Sequence, residues 1–560
     1  MADRKFALGL DFGTESGRAL LVDAATGEEV STRVYEYADG VIDRELPDGT
    51  PLAPDWALQN PRDYLETLRQ TVPAVLAAAG VAAKQVIGIG VDFTSCTMLP
   101  TDAEGTPLCL KPEWAGKPHA WVKLWKHHAA QPEADKINQA AQRREEPWLA
   151  RYGGRYSSEW FFSKVWQILN EAPEVYEAAD RMIEGGDWLI WQLTGRETRN
   201  LSAAGYKAIY DKRAGFVSRE FLAELDPRLE DVVAEKMMRK VSPLGEKAGE
   251  LTRGMAELTG LRAGTPVAIA TVDAHASVPA AGIADAGKML MIMGTSICHM
   301  VLGRESRPVE GMCGVAEDGI LPGFFGYEAG QSSAGDILAW FVRTWTPGEI
   351  EGRSAHEYLE QRAAHLKPGE SGLLALDWWN GNRSVLVDTN LSGLILGATL
   401  DTTLAELYRA LIESIAFGTR MIIENFEEYG IRVSELYACG GMAEKNELLM
   451  QIFSDVTGRS IKLARSSQAS ALGAAMFGAV AAGRRGGGYD TIFEAIDSMG
   501  GVRDKVYQPD PSDHAVYSQI FEDYVALHDY FGRGANDVMK RLRALKAHER
   551  GAGPHTSECK

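Results

Sequence analysis

A strand that closes on Gly-Thr occurs twice in this chain, and any fold must accommodate both copies. Phe6-Ala7-Leu8-Gly9-Leu10-Asp11-Phe12-Gly13-Thr14 is an apolar run ended by a turn, and Gly17 to Asp23 reads as the returning strand of a hairpin. Lys288 to Met293 is again apolar, ends on Gly294-Thr295-Ser296, and is followed by the strand-like Ile297 to Leu302. Two such elements roughly 280 residues apart suggest two lobes of related design. The boundary falls near residue 284, between Ala281-Gly282 and Gly287, giving lobes 1–284 and 285–560. Val86 to Asp92 is a further buried strand ending in an acid. Asp63 to Ala79 has helical spacing, with Pro73 as a kink or a fresh turn, and residues 110 to 270 read as mostly helical. Strands and helices alternate, so the expected class is α/β.

Composition limits the partners. The 560 residues carry 58 Lys and Arg against 77 Asp and Glu, a net charge of −19. A surface built to grip nucleic acid needs clustered positive charge, so no nucleic-acid partner is expected, although a local phosphate pocket remains open. The first residues show no apolar signal core, and the longest apolar runs, Val72 to Ala83 and Ala471 to Gly483, fall short of the ~18 residues of a membrane span. Cys96, Cys109, Cys298, Cys313, Cys439 and Cys559 are scattered without a Cys-x-x-Cys pair, which reads as reduced thiols of a cytoplasmic protein. The tail from Met539 is basic and reads as a solvated helix end, flexible after about residue 545.

Four segments carry possible chemistry. Glycines in a strand turn let backbone N–H groups approach phosphate oxygens, and Asp11-Phe12-Gly13-Thr14-Glu15-Ser16-Gly17-Arg18 adds the hydroxyls of Thr14 and Ser16. Asp11 can hold Mg²⁺ through water. The same residues also suit a plain hairpin with an Asp cap. No Walker-type phosphate loop is present. Gly294-Thr295-Ser296 is a second candidate phosphate turn. Gly440-Gly441-Met442, ahead of Asn446, joins a strand to a helix, where a flat ring could stack; Gly-Gly at a helix start is also a common tight turn. Asp273 follows the apolar Ala270-Thr271-Val272 and can accept the proton of a substrate hydroxyl or cap the next helix. His275 reads as structural.

These turns, in this order, resemble the two-lobed ATP-binding superfamily of actin, hexokinase and the sugar kinases. Gly393-Leu394-Ile395-Leu396-Gly397-Ala398 followed by Glu406 to Glu413 is similar to the second signature of the FGGY carbohydrate kinases, with Ala398 where a larger aliphatic residue is usual. Ser163-Lys164-Val165-Trp166 matches the first signature more loosely. The resemblance runs from about residue 6 to 535. It implies two ribonuclease H-like lobes with ATP and sugar in the cleft between them. Val91-Asp92-Phe93-Thr94-Ser95-Cys96-Thr97, Ser157 to Phe162, Gly205 to Ala208 and Tyr327 to Ser332 are most similar to the members that phosphorylate ribulose. Glycerol kinases usually carry Asn-Gln-Arg in the first of these segments, and xylulokinases Gln-Met-His.

The resemblance implies transfer of phosphate from ATP to the 5-hydroxyl of a ribulose, most of all L-ribulose in L-arabinose catabolism. Asp273 would be the base and a possible metal ligand, with Asp11 holding Mg²⁺ through water. Asp92, Thr94, Ser95, Cys96, Lys207, Asp273, Glu328 and Gln331 would bind sugar. Gly13, Thr14, Ser16, Arg18, Gly294, Thr295, Ser296, Gly440, Gly441, Met442 and Asn446 would bind ATP. A homodimer is expected by the same resemblance. Lys207 could also be a loop charge, Glu328 a salt-bridge partner and Asp92 a turn cap. Another polyol or ketopentose substrate, such as D-ribulose, ribitol, xylulose or glycerol, and a nucleotide-switched chaperone or filament subunit are the alternatives.

Overall fold

A computed structural model describes residues 4–551 apart from Arg239. Seven strands form the first large sheet: β1 (Phe6–Phe12), β2 (Ser16–Asp23), β3 (Glu29–Glu36), β4 (Val86–Phe93), β5 (Lys247–Glu250), β6 (Pro266–Ala268) and β7 (Thr271–Val272). Its order is β3-β2-β1-β4-β6-β5, with β7 also on β4. The second is built from β8 (Lys288–Met293), β9 (Ile297–Gly303), β10 (Gly314–Glu317), β11 (Phe325–Gln331), β12 (Glu435–Cys439), β13 (Ile461–Ala464) and β14 (Val502–Tyr507), in the order β10-β11-β9-β8-β12-β13-β14.

The two sheets share one plan. An antiparallel ribbon (β3-β2-β1, then β11-β9-β8) is followed by parallel strands (β4 and β6, then β12 and β13). The recurrence extends to the turns: Gly13 N–H donates to Ser16 O over 2.9 Å, and Gly294 N–H donates to Ser296 O over 3.0 Å. β4 is buried along its whole length, as a parallel strand covered on both faces must be, which explains its unbroken apolar run.

The helix α1 (Pro61–Ala79) is a single element through Pro73. Asn60 caps its start by accepting the Arg62 N–H, and Gly80 ends it at φ 62°. The stretch 110–270 includes α2 (Phe161–Glu171) and α3 (Leu201–Lys207), but it also supplies β5, β6 and strands of a small four-stranded sheet. α4 (Asp273–Ala280) leaves β7 directly. Further along lie α5 (Gly441–Lys445), α6 (Glu447–Thr457), α7 (Ala469–Gly486) and α8 (Val538–Gly551). The basic stretch is thus helical to Gly551, and the remainder of the expected flexible tail lies outside the described residues.

α7 comes from the second half of the chain yet lies on the first sheet. Its backbone comes so close that a Cβ on Gly9 would stand 1.9 Å from Ala471 O, and one on Gly90 1.8 Å from Ala474 O. A glycine-bearing sheet face and an Ala/Gly helix therefore interlock at backbone distance. Ala471, Leu472, Ala475 and Met476 join one core with Val278, Leu290 and Met300, so apolar packing continues from one half into the other. Among the described residues no helix is long and apolar enough to cross a membrane, and the five cysteines are unpaired.

Candidate active site

The strand register sets out the first part of the site. Arg18, Asp11, Asp92 and Thr271 occupy one row across β2, β1, β4 and β7. Arg18 Nε lies 3.1 Å from Asp11 Oδ2. Asp92 is fully buried, and both of its carboxylate oxygens lack a hydrogen-bond partner. Burial pushes its pKa well up, with the charges of Asp11 and Asp273 adding to the effect against Arg18. Asp92 is therefore enclosed beside Asp11 at the end of β4, where the expected sugar-binding segment begins.

Asp273 is the first residue of α4, and Val272 holds the cap position. Its Oδ1 accepts the N–H of Ala274 over 2.7 Å. Desolvation pushes its pKa up to about 7; Asp11 and Glu328 raise it further, while the Ala274 N–H and Lys207 oppose. A carboxyl poised near neutrality at a cleft is suited to accept a proton from a bound hydroxyl.

Lys207 and Glu328 meet across the two halves. Lys207 Nζ donates to both Glu328 oxygens, over 3.2 and 3.1 Å, and both side chains are buried. Burial alone would raise the Glu328 carboxyl, but Lys207, His275 and Arg383 outweigh it and hold the group well below the usual range. Burial would likewise lower the Lys207 ammonium, and Glu328 more than reverses that. His275 is fully buried, and burial lowers its pKa. Its Nδ1 is 2.6 Å from Ser202 Oγ and its Nε2 3.6 Å from Glu328, so the neutral ring stands behind the ion pair.

The loop after β4 is held from below. Thr94 N–H donates to Phe12 O over 3.1 Å, and Thr94 Oγ1 lies 2.7 Å from Thr97 Oγ1. Ser95 Oγ is buried without a partner. Cys96 takes φ 50°, and burial pushes its thiol up to about 12. The buried Lys164 donates to Cys96 O over 2.7 Å and to Leu124 O over 2.8 Å, a task for the first-signature lysine that spacing alone did not reveal. Gln331 stands apart. Its amide donates to Asp377 Oδ2 (2.7 Å) and Ile415 O (2.8 Å) and accepts from Thr419 (2.9 Å), so it knits the second lobe together.

Trp125 Nε1–H donates to Thr14 Oγ1 over 3.0 Å, and Gln59 donates to Thr14 O over 2.8 Å, which steadies the first turn. Gly335 N–H donates to Thr295 O over 3.0 Å, and Ser296 Oγ accepts the Ser333 N–H over 3.2 Å, which steadies the second. Gly440 (φ 97°) sits against it: a Cβ there would stand 2.6 Å from Met293 O. Gly441 faces open space, with nothing within 4 Å of a Cβ position, and this leaves room for a flat ring. Met442 lies beside the same turn, its sulfur 3.2 Å from the Cβ position of Gly335. Asn446 caps α6 by accepting the Leu449 N–H over 2.7 Å.

Residues 6–279 match the N-terminal domain of the FGGY family of carbohydrate kinases, and residues 289–482 match its C-terminal domain. The chain belongs to the FGGY carbohydrate kinases. This FGGY kinase is 57% identical to a ribulokinase of Geobacillus thermodenitrificans over 98% of each chain, and 58% identical to one of Anoxybacillus flavithermus over 97% of each. A ribulokinase of Mycolicibacterium smegmatis is 50% identical over 97% of each. A xylulose kinase from Rhodospirillum rubrum has the same fold, with a TM-score of 0.76 at 23% identity, covering 94% of this chain and 98% of that one. A glycerol kinase from Plasmodium falciparum, solved with ADP, gives 0.71 at 16% identity over 93% and 98%. The expected two-lobed α/β kinase fold is thus present, and the family uses ATP.

A family of this kind implies a divalent metal as well. Among the described residues no group of three or more His, Cys, Asp and Glu forms a ready cage. Asp11 at the cleft, with the orphaned carboxylate of Asp92 behind it, fits a cation that keeps much of its water shell.

Proposed function

We propose that this kinase transfers the γ-phosphoryl group of MgATP to the 5-hydroxyl of L-ribulose, a step of L-arabinose catabolism. The carrying observation is the juxtaposition of Asp273, with its pKa near 7, and the buried Lys207–Glu328 pair that joins the lobes. The ribulokinase names of relatives that match end to end support the choice of acceptor.

A polyol gives up many water hydrogen bonds on binding, so its site must replace them with fixed donors and acceptors. Lys207 and Glu328 offer both, and Thr94, Ser95 and the backbone at Cys96 lie on the other side of the acceptor. Asp273 takes the hydroxyl proton as the oxygen attacks. Backbone N–H groups and hydroxyls at Gly13-Thr14-Ser16 and Gly294-Thr295-Ser296 receive the phosphates. Arg18 orients Asp11. Adenine lies over Gly440, Gly441 and Met442, with Asn446 near the nucleoside. Asp11, with Asp273 close by, would hold the Mg²⁺ through water, and the bound ion neutralises charge on the β- and γ-phosphates. The unpaired cysteines support a cytoplasmic location. The homodimer rests on the family resemblance and is read by light scattering.

The test is ADP release from MgATP without sugar and with L-ribulose, D-ribulose, ribitol, D-xylulose and glycerol. Strong stimulation by L-ribulose is expected. Stimulation by xylulose or glycerol alone overturns the acceptor, and turnover indifferent to every sugar overturns the kinase reading.

A further inference from the structure

A second ion pair crosses the cleft, and the reading above gives it no task. Arg383 Nη2 lies 3.3 Å from Glu159 Oε2, although the two are 224 positions apart in the chain. Its polarity is the reverse of the Lys207–Glu328 pair: here the first half supplies the acid and the second half the base. The Arg383 side chain is 29% exposed and that of Glu159 12%, so both keep some contact with solvent. His128 Nε2 stands 3.8 Å from the other Glu159 oxygen.

The backbone is shaped around this arginine. A Cβ on Gly330 would stand 2.8 Å from Arg383 Cδ, so the arginine stem crosses the strand where a side chain is missing. Ser384 Oγ accepts the Gly330 N–H over 3.2 Å and pins the Arg383 segment to β11. Gly330 follows Glu328 by two residues, hence on the same face of β11. The guanidinium is therefore laid beside Glu328, and Glu328 is the group that also faces Asp273. A row of charged groups thus runs from Asp273, past Lys207–Glu328, to Glu159–Arg383.

An ion pair open to water contributes little to stability, so clasping the lobes is a weak reason for such construction. A guanidinium has five N–H donors, and the carboxylate has spare lone pairs. Together they match the carbonyl and hydroxyl oxygens of a ketose. We propose that Glu159 and Arg383 are acceptor-binding residues that grip the end of the sugar remote from Asp273 and set selectivity there. This rests on the reading that Lys207 and Glu328 line the acceptor pocket.

The experiment is steady-state kinetics of Arg383→Met, Gly330→Ala and the exchange Glu159→Arg with Arg383→Glu, after the parent has been screened on the five sugars. Arg383→Met should raise the sugar KM roughly 10–100-fold, as loss of a charged hydrogen bond does, while the KM for ATP moves less than about twofold. Gly330→Ala keeps the arginine but displaces it, and should move the sugar KM in the same direction. The exchange keeps an ion pair across the cleft; if the groups touch sugar, its sugar KM stays raised. A parental sugar KM in the exchanged protein overturns the proposal and leaves a mere clasp. An unchanged sugar KM in Arg383→Met, in a parent that turns over ribulose, also overturns it while the function stands. A parent active on a different sugar overturns the acceptor identity instead, and the same variants are then read on that sugar.

Discussion

Asp273→Asn removes an ionisable group and keeps the shape, since the amide oxygen can still accept the Ala274 N–H. In the parent the folded protein prefers this carboxyl protonated, with its pKa raised from 3.8 to about 7. Between those values the unfolded chain has lost the proton and the native protein retains it, so stability falls as pH rises. About three pH units at about 1.4 kcal/mol each make the destabilisation up to about 4 kcal/mol, complete above the folded pKa and absent below the unfolded one. The Asn variant does not bear it. It should be more stable than the parent by an amount that grows by about 2 kcal/mol from about pH 5.5 to about pH 8.5 and levels off above neutrality. The same variant should lose roughly 10²–10⁴-fold in kcat with little change in the KM for ATP, because a general base contributes about that much. Parental kcat/KM for sugar should rise with pH through about 7, as the base becomes free. Denaturant titrations of both proteins across this range, with kinetics on the same samples, read all three. A variant no more stable than the parent at high pH, or turnover within about tenfold of it, refutes the reasoning.

Lys207→Met leaves Glu328 buried without the ammonium that contacts both its oxygens, so it should cost about 3–5 kcal/mol in a denaturation assay and abolish sugar-stimulated turnover. Adding Glu328→Gln should restore much of the stability and none of the activity. Gln331→Ala should destabilise by about 1–3 kcal/mol through the donors and acceptor it strips from Asp377, Ile415 and Thr419, with an unchanged sugar KM in the folded fraction. Gly90→Ala places a Cβ where Ala474 O stands and should yield little soluble protein. Gly441→Ala meets nothing in the protein. It should keep the parental melting temperature, and a raised KM for ATP checks whether adenine lies there.

The local features were legible because their causes are local. An apolar run that ends in Gly-Thr makes a strand and a turn wherever it stands, and in both copies the glycine N–H donates to the carbonyl of a serine just beyond, Ser16 or Ser296. Asp11 and Asp273 sit where strands β1 and β7 give out, which spacing alone placed. Asp92 and Gln331 show the limit. Each is suggested as a site residue by its sequence neighbours, and only register and packing reveal the row beside Asp11 for one and the Asp377–Ile415–Thr419 network for the other. No periodicity marks Glu159 and Arg383, or Lys207 and Glu328, because partners from opposite halves are joined only when the cleft forms. The same holds for α7, whose small residues show in the sequence only as the apolar run Ala471 to Gly483. Only backbone contact with Gly9 and Gly90 makes it part of the first sheet's cover. Turns, strand ends and helix caps follow from neighbours along the chain; the pairing of charges and the seating of a helix depend on distances through space, which tertiary packing alone determines.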